Sequence, residues 1–223
     1  MMGVKTNGAG LFPPATWSGS RSPEAFGGDE ADYPGPRPAG SFLIQDGRVY
    51  GLDPCREGWR RRDIGEPIDL TGRQLVLAYG SNLDPRKLVR RLPHEALMAL
   101  RCAIYDYAAV WCDARRRSGD VVATLARMPG RVEVHGLLAL TPKQLHCVDR
   151  WEGNPDYYQR RPFTARVLVE DGTLADGVTA YFGTPECRPP LRRDGRIFPL
   201  AEHPYRTIDA MVPQICKGAE WSE

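Results

Sequence analysis

The densest hydrophobic pattern along the chain begins at Gln74. Leu75-Val76-Leu77-Ala78-Tyr79 is a short apolar run, which is typical of a buried strand. The run ends at Gly80-Ser81-Asn82, three residue types that favour a turn. A helix is predicted directly after this turn, because Asp84 suits the N-cap and Pro85 suits the first helical position. Three apolar residues at helical spacing give this helix a buried face: Leu88, Val89 and Leu92.

A second helix is predicted further along the chain. The segment Thr141-Pro142-Lys143-Gln144 has the form of a capping box, with the threonine as cap and the glutamine at the third helical position. Glu152 falls on the same helical face as Leu145 and Val148, and Gly153 suits the helix stop. The pattern therefore predicts an inward-facing carboxylate at the C-terminal end of this helix.

Several other segments have the composition of short strands separated by turn-forming residues. They are residues 103–111, 121–126, 132–140, 163–169 and 178–182. The last two flank Asp171-Gly172, which predicts that they form a hairpin. Many short strands with a few flanking helices indicate an α+β fold. Its core is predicted to be a small mixed β-sheet, curled or closed into a barrel-like shape.

The N-terminal part of the chain differs from the rest. Residues 1–40 are rich in Gly, Pro and Ser and poor in branched aliphatic side chains, so they are predicted to form a flexible tail. Residues 41–72 are predicted to form an extension of the main domain, with a β-hairpin whose strands flank Asp46-Gly47. Residues 73–223 are predicted to form the main domain.

The composition is that of a globular protein, with 42% hydrophobic residues and a net charge of +2 over 223 residues. A charge this small gives no reason to expect a nucleic acid or an anionic membrane as partner. The arginine runs at residues 60–62 and 115–117 are interpreted as solvated surface. Neither the six cysteines nor the four histidines have metal-ligand spacing, so no metal or other cofactor is expected. No leader or long apolar run is evident, which favours a cytoplasmic location.

The turn at residues 80–82 has two interpretations. Its backbone N–H groups, together with the dipole of the following helix, suit a carboxylate or an oxyanion. Gly80 would let a ligand approach the backbone closely. A plain strand-to-helix turn explains the same pattern, so both interpretations stay open at this point.

Glu152 also has two interpretations. A carboxylate at the C-terminal end of a helix meets the unfavourable end of the dipole, and burial removes its hydration, so both effects raise its pKa. A residue that breaks local rules in this way is often functional. The alternative is a glutamate that turns out to solvent or pairs with Arg160 or Arg161.

Two motifs, taken together, resemble the γ-glutamylcyclotransferase-like superfamily. They are Tyr79-Gly80-Ser81-Asn82-Leu83 and, later in the chain, Trp151-Glu152-Gly153 followed by Tyr158-Gln159-Arg160. Val134-His135-Gly136-Leu137 is similar to the strand that leads into the catalytic helix of that superfamily. Its members include γ-glutamylcyclotransferases, γ-glutamylamine cyclotransferases and the enzyme that removes a γ-glutamyl protecting group in butirosin biosynthesis. The resemblance covers roughly residues 74–220.

The resemblance implies the superfamily fold and a catalytic domain over residues 73–223. It implies that Glu152 is the general acid and base. The residues that it implies bind the γ-glutamyl group are Tyr79, Gly80, Ser81, Asn82, Leu83 and Tyr158. Tyr157 lies beside Tyr158 in the sequence and competes with it for this role. Residues 1–72 lie outside the family pattern, and a lid or a partner contact is a possible role for them.

The activity that the resemblance implies is cleavage of a γ-glutamyl amide, with release of 5-oxoproline and a free amine. The partner is then a small-molecule substrate, with no nucleic acid and no membrane. Two other functions fit the same residues. One is the removal of a γ-glutamyl protecting group from a single intermediate of specialised metabolism, and the other is a non-catalytic protein that binds γ-glutamyl groups or 5-oxoproline.

Overall fold

The computed structural model describes residues 11–12, 17, 19–26, 39–93 and 95–213. Within these residues the strands are β1 (Ser20–Arg21), β2 (Phe42–Gln45), β3 (Arg48–Cys55), β4 (Gly58–Arg61), β5 (Pro67–Ile68), β6 (Gln74–Ala78), β7 (Leu97–Arg115), β8 (Val121–Leu140), β9 (Tyr158–Pro162), β10 (Val167–Val169), β11 (Thr179–Gly183), β12 (Arg192–Arg193) and β13 (Arg196–Ile197). The α-helices are α1 (Pro85–Arg91), α2 (Pro142–Glu152) and α3 (Tyr205–Asp209), and 3-10 turns span Pro23–Phe26 and Ser81–Leu83. None of these helices has the length and apolar character needed to cross a membrane.

One large mixed sheet contains most of these strands, in the order β5-β4-β3-β2-β7-β8-β6-β11-β9. β7 and β8 form a long antiparallel hairpin in it. β2 and β10 share the other edge of β7, opposite residues 97–99 and 102–104 respectively. β6 lies between antiparallel β8 and parallel β11. The prediction of a mixed sheet within an α+β fold is therefore confirmed.

The sheet does not close into a barrel, and the closed alternative predicted from the sequence is wrong. Closure requires hydrogen bonds between the two terminal strands of a sheet. Among the described strands, β5 pairs with β4 and β9 pairs with β11, and the two ends do not meet. β5 has only two residues, and its Pro67 has no N–H to donate. This strand is therefore suited to an edge.

Both faces of the sheet are apolar. Successive side chains of β6 point to opposite faces and join two different clusters. Leu77 and Tyr79 join one cluster of buried side chains, whereas Val76 and Ala78 join a second cluster. This alternation is the two-residue period of a strand. The second cluster also contains buried residues of α1 and α2, namely Leu88, Leu145 and Val148. The two helices thus cover one face of the sheet near β6.

Both helices begin as the sequence predicts. The Asp84 side chain caps α1, because its Oδ1 accepts a hydrogen bond from the Arg86 N–H at 2.9 Å. The capping box of α2 is complete, with the Thr141 hydroxyl and the Gln144 side chain each accepting from the other's backbone N–H. Gly153 ends α2 with a left-handed φ of 64°, a conformation that favours glycine.

The predicted hairpin at Asp46-Gly47 is confirmed. β2 and β3 pair across it, and Asp46 and Gly47 have positive φ angles of 50° and 69°, as a type I′ turn requires. β2 also pairs with β7, so the hairpin belongs to the large sheet. The boundaries at residues 41 and 73 stay predictions.

Part of the segment predicted as a flexible tail, residues 1–40, packs against the sheet. Trp17 is buried, and its carbonyl oxygen accepts a hydrogen bond from Arg62 Nη1 at 2.7 Å. β1 pairs with β3, and the Phe26 ring packs edge-on against Trp17 with ring centroids 5.4 Å apart. The average composition of these forty residues did not indicate that Trp17 and Phe26 pack in the folded protein. Apart from residues 11–12, 17, 19–26 and 39–40, the predicted tail lies outside the described residues.

The hairpin predicted around Asp171-Gly172 is wrong. β10 pairs with β7, while β11 pairs with β6 and β9. After the turn the chain returns only as far as an isolated bridge between Leu168 and Leu174. The reason is that β2 covers only the first residues of β7 and leaves an open edge beside them. β10 fills that edge.

The arginine runs are not simply solvated surface. Arg115 is buried, and its guanidinium donates hydrogen bonds to the Asp209 carboxylate at 2.6 Å and to the Val212 carbonyl at 2.8 Å. Arg62 forms an ion pair with Asp53 at 2.7 Å. Arg115 and Arg62 thus hold other segments of the chain against the sheet. The charge of the sequence alone could not predict these contacts.

Replacing Trp17 with alanine tests whether the N-terminal segment is part of the folded core. The loss of a buried aromatic side chain should lower the free energy of unfolding by about 3 kcal/mol. Chemical denaturation of the full chain measures this change. Leu174→Ala is the control, because Leu174 is 49% exposed and its truncation should change stability by less than about 0.5 kcal/mol. Equal stability of Trp17→Ala and the wild type would contradict the packing of this segment.

Replacing Gly136 with alanine tests how the turn after β6 rests on β8. A Cβ at Gly136 would lie 2.5 Å from Cδ2 of the buried Leu83. The overpacking should cost about 1–3 kcal/mol of unfolding free energy. Adding Leu83→Ala removes the clashing group, so the double variant should lose less stability than the sum of the two single changes. Strict additivity would contradict the contact.

Candidate functional site

A cleft that is partly open to solvent lies where β6 ends. Side chains and backbone from β6, the following turn, the β7–β8 hairpin, the end of α2, β9 and β11 line it. These residues are Leu77, Ala78, Tyr79, Gly80, Ser81, Asn82, Arg116, Ala123, Glu152, Tyr158 and Tyr181. The cleft thus brings together every residue predicted for the site except Leu83. The Leu83 side chain instead packs against Gly136 of β8.

The turn after β6 forms one wall of the cleft. Its residues Ser81–Leu83 adopt a 3-10 conformation, and the Asp84 N–H donates to the Ser81 carbonyl at 3.2 Å. Gly80 has a φ of −107°, so its backbone angles alone do not require glycine. The N-terminus of α1 is capped by Asp84 itself, and any role in binding an anion therefore falls to the turn.

Glu152 faces the turn across the cleft. Asn82 Nδ2 donates a hydrogen bond to Glu152 Oε1 at 2.6 Å. The ion pairs that could have explained this glutamate do not form: Arg160 instead pairs with Asp149 at 3.0 Å, and Arg161 bonds Gln159. The carboxylate at the end of α2 is therefore directed to the cleft, as its helical position predicts.

Burial raises the pKa of Glu152 above its ordinary value. The hydrogen bond from Asn82 and the positive charges of three arginines act in the opposite direction without cancelling the effect of burial. These arginines are Arg116, Arg91 and Arg188. Desolvation disfavours the charged form of a carboxyl group, so Glu152 holds its proton to a higher pH than a glutamate in water.

Three tyrosines build the remaining walls, and each hydroxyl is held by the protein. Tyr79 donates to the Tyr181 carbonyl at 2.6 Å, Tyr158 donates to the Ala123 carbonyl at 2.8 Å, and Tyr181 donates to Asp149 Oδ1 at 2.8 Å. Tyr158 is buried and lines the cleft, whereas its neighbour Tyr157 is exposed. Of the two adjacent tyrosines, Tyr158 is thus the one that borders the cleft.

Asp149, one helical turn before Glu152, has the opposite environment. Burial opposes its ionisation, but hydrogen bonds from Arg160 and Tyr181 overcome that effect and lower its pKa. Asn154 Nδ2 also donates to Asp149 Oδ1 at 3.0 Å. This network fastens the end of α2 to β9 and β11, and so fixes the direction in which Glu152 points.

Sequence reasoning missed Arg116, Tyr181 and Asp149. Arg116 belongs to a run interpreted as surface, and only its position in the β7–β8 turn brings it into the cleft. Tyr181 and Asp149 carry no local signal, because their roles depend on how β11 packs beside α2. Among the described residues, no group of three or more His, Cys, Asp or Glu side chains is arranged to hold a metal ion.

Comparisons with known proteins found one matching family and several similar solved structures. The family model described as "Gamma-glutamyl cyclotransferase, AIG2-like" matches residues 76–198. No curated protein sequence matches the chain. An uncharacterized protein from Homo sapiens is 20% identical over 53% of this chain and 71% of its own, with a TM-score of 0.45. A structure titled "Gamma-glutamyl cyclotransferase" is 18% identical over 62% of this chain and 77% of its own, with a TM-score of 0.44. An Arabidopsis thaliana protein is 21% identical over 54% of this chain and 75% of its own, with a TM-score of 0.41.

The matched residues span more than half of the chain and contain both motifs on which the resemblance rests. They also contain every residue that lines the cleft. The chain belongs to the AIG2-like γ-glutamyl cyclotransferase family.

Proposed function

We propose that the protein cleaves a γ-glutamyl amide by intramolecular cyclotransfer and releases 5-oxoproline and a free amine. One observation carries the proposal. The Glu152 carboxylate, with its raised pKa, lies 2.6 Å from the Asn82 amide of the turn, inside a cleft that both residues line. Family membership supports the same class of reaction.

The reaction needs little from the protein, because its nucleophile is already part of the substrate. The α-amine of the γ-glutamyl group attacks its own γ-carbonyl carbon, the C–N bond to the leaving amine breaks, and a five-membered lactam forms. When the protein holds the γ-glutamyl group of the substrate in a folded conformation, the attack is a unimolecular step and needs no bimolecular encounter. The α-ammonium nitrogen loses two protons, and the leaving nitrogen gains two. A single carboxyl group that accepts on one side and donates on the other balances the reaction.

Glu152 suits this task because of its pKa. An α-ammonium group titrates near ~8 and an ordinary glutamate near ~4.3, a gap worth about 5 kcal/mol in proton transfer. Burial raises the pKa of Glu152 and narrows that gap. A general base works best when its pKa lies near the operating pH. The desolvation that makes ionised Glu152 unfavourable thus makes it a better proton carrier.

The turn is proposed to bind the γ-glutamyl group. Backbone N–H groups of residues 80–83 would face the α-carboxylate or the oxyanion that develops on the γ-carbonyl. The Tyr158 hydroxyl already bonds the Ala123 carbonyl, so Tyr158 would contribute its ring as an apolar wall. Leu83 would contribute indirectly, because its side chain holds the turn against Gly136 of β8.

The Glu152→Gln substitution tests the mechanism. Glutamine keeps an oxygen that can accept the Asn82 hydrogen bond but cannot carry a proton, so kcat should fall by a factor of about 10²–10⁴. The assay measures 5-oxoproline released from a panel of γ-glutamyl amino acids, γ-glutamyl amines and glutathione. Glu57→Gln is the matched control, because Glu57 is exposed in the β3–β4 turn, and it should keep full activity.

Each outcome of this assay is informative. Full activity of the Glu152→Gln protein would contradict the proposed role of Glu152 in proton transfer. Binding of 5-oxoproline without turnover of any panel member would favour a binding protein. Turnover of a single member would favour a dedicated deprotecting enzyme over a broad one.

The raised pKa of Glu152 also makes a prediction about stability. Where a carboxyl group has a higher pKa in the folded protein, the unfolded chain loses the proton first, and stability falls as pH rises through that window. Glutamine cannot ionise, so Glu152→Gln should have a higher Tm than the wild type at pH 7. The difference should shrink toward zero near pH ~3, where the carboxyl group is protonated in both states. Thermal melts at both pH values, read by circular dichroism, measure this difference. A lower Tm for the variant at pH 7 would contradict the direction of the shift.

A further inference from the structure

The helix that follows the turn of the cleft packs against a part of the chain that lies outside the family match. The 3-10 turn Pro23–Phe26 approaches the backbone of α1 more extensively than any other described element does. The family match begins at residue 76. The helix therefore belongs to the family domain, whereas its principal neighbour does not.

Two aromatic side chains join this N-terminal segment, residues 17 and 19–26, to the helix. Trp17 belongs to the same cluster of buried side chains as Leu88 of α1 and Leu83 of the turn. Phe26 packs on Trp17 and borders the same cluster. Arg62 holds Trp17 in place, because its Nη1 donates to the Trp17 carbonyl at 2.7 Å and its guanidinium lies 5.9 Å from the centre of the indole ring.

The β2–β3 hairpin borders α1 as well. A small groove is lined by the hairpin residues Gln45, Asp46 and Gly47 and by the helix residues Leu88, Val89 and Leu92. α1 has only seven residues, and an isolated helix of that length is not stable in water. Its position therefore depends on the segments that it packs against, and two of these precede the family match.

Both ends of α1 lead to the cleft. Its N-terminal end continues directly from the turn Ser81–Leu83 through the cap residue Asp84. At its C-terminal end, the Arg91 guanidinium lies 4.6 Å from the centre of the Trp151 ring, and its positive charge acts on Glu152. A displacement of α1 would therefore move the turn and the charge beside Glu152 together.

We propose that Trp17 and Phe26 are positioning residues, which hold α1 and through it place the turn at residues 80–83 and the Arg91 side chain. Neither aromatic residue lines the cleft, so each acts only through the helix. Coupling of this kind is carried by contiguous packed side chains. The inference rests on the proposed function, because that function assigns substrate binding to the turn and proton transfer to Glu152.

Hydrogen–deuterium exchange of the full chain tests the coupling without any substrate. Phe26→Ala removes a ring from the element that packs against α1, so the backbone amides of residues 81–92 should exchange about tenfold faster, because local opening becomes easier. Trp17→Ala should have a larger effect on the same amides. Phe26→Leu keeps an apolar side chain at this position and should restore most of the protection.

Trp59→Ala is the matched control. Trp59 in β4 is also buried and also precedes the family match, but its side chain joins the other cluster. Its loss should lower the free energy of unfolding about as much as the loss of Trp17, without selectively exposing residues 81–92. The inference is wrong if Trp59→Ala exposes these amides as much as Trp17→Ala does. It is also wrong if neither Trp17→Ala nor Phe26→Ala exposes them.

Activity measurements test whether the coupling reaches the reaction. Trp17→Ala and Phe26→Ala should lower kcat/KM for the best γ-glutamyl substrate of the panel by about tenfold to a hundredfold, the scale of a ~1 Å misplacement. Most of this loss should lie in KM, because the turn is proposed to bind the γ-glutamyl group. Trp59→Ala should keep the wild-type kcat/KM.

The two measurements separate failure of the inference from failure of the proposed function. An active wild type whose Phe26→Ala variant keeps the full kcat/KM would overturn the positioning role and leave the proposed function intact. A wild type that turns over no member of the panel would contradict the proposed function. In that case the exchange experiment still decides whether the N-terminal segment holds the turn.

Discussion

The hydrogen bond between Asn82 and Glu152 joins the two halves of the cleft, and the surrounding structure determines whether it can form. Asn82 is placed by the turn that ends β6, a strand held on both sides by β8 and β11. Glu152 is placed by the length of α2, which the capping box at Thr141 and the left-handed Gly153 fix at 11 residues. One turn more or less would shift its carboxylate by about 5.4 Å along the helix axis. The site thus depends on helix caps that never touch the substrate.

Two carboxylates on α2 show how environment assigns chemical roles. Asp149 accepts hydrogen bonds from Arg160, Tyr181 and Asn154, which keep it ionised. These hydrogen bonds hold the end of α2 against β9 and β11. Glu152 is desolvated, which raises its pKa, and its hydrogen bond from Asn82 opposes this effect without cancelling it, so Glu152 is suited to carry a proton. Groups of the same kind whose environments push their pKa values apart often take separate acid–base roles. The network around Asp149 also fixes the end of the helix from which Glu152 extends.

Local chemistry explains which features the sequence could predict. The turn after β6, both helix caps, the hairpin at Asp46-Gly47 and the inward direction of Glu152 depend on residues close together in the chain, and they were predicted correctly. The open sheet, the pairing of β10 with β7 and the packing of Trp17 depend on which distant edge or surface each segment meets. A one-dimensional pattern does not contain that information. Arg116 shows the same limit, since its run of arginines reads as surface until the β7–β8 hairpin places it in the cleft.

The residues in and around the cleft come from different kinds of structure. The motif residues of the turn and α2 lie on elements anchored in the sheet, and on the proposed mechanism they face the γ-glutamyl half common to all substrates. Arg91, Arg116 and Arg188 come from a helix end, a hairpin turn and a loop, the places where a scaffold tolerates variation. Family membership therefore constrains the chemistry at the γ-carbonyl much more than it constrains the amine.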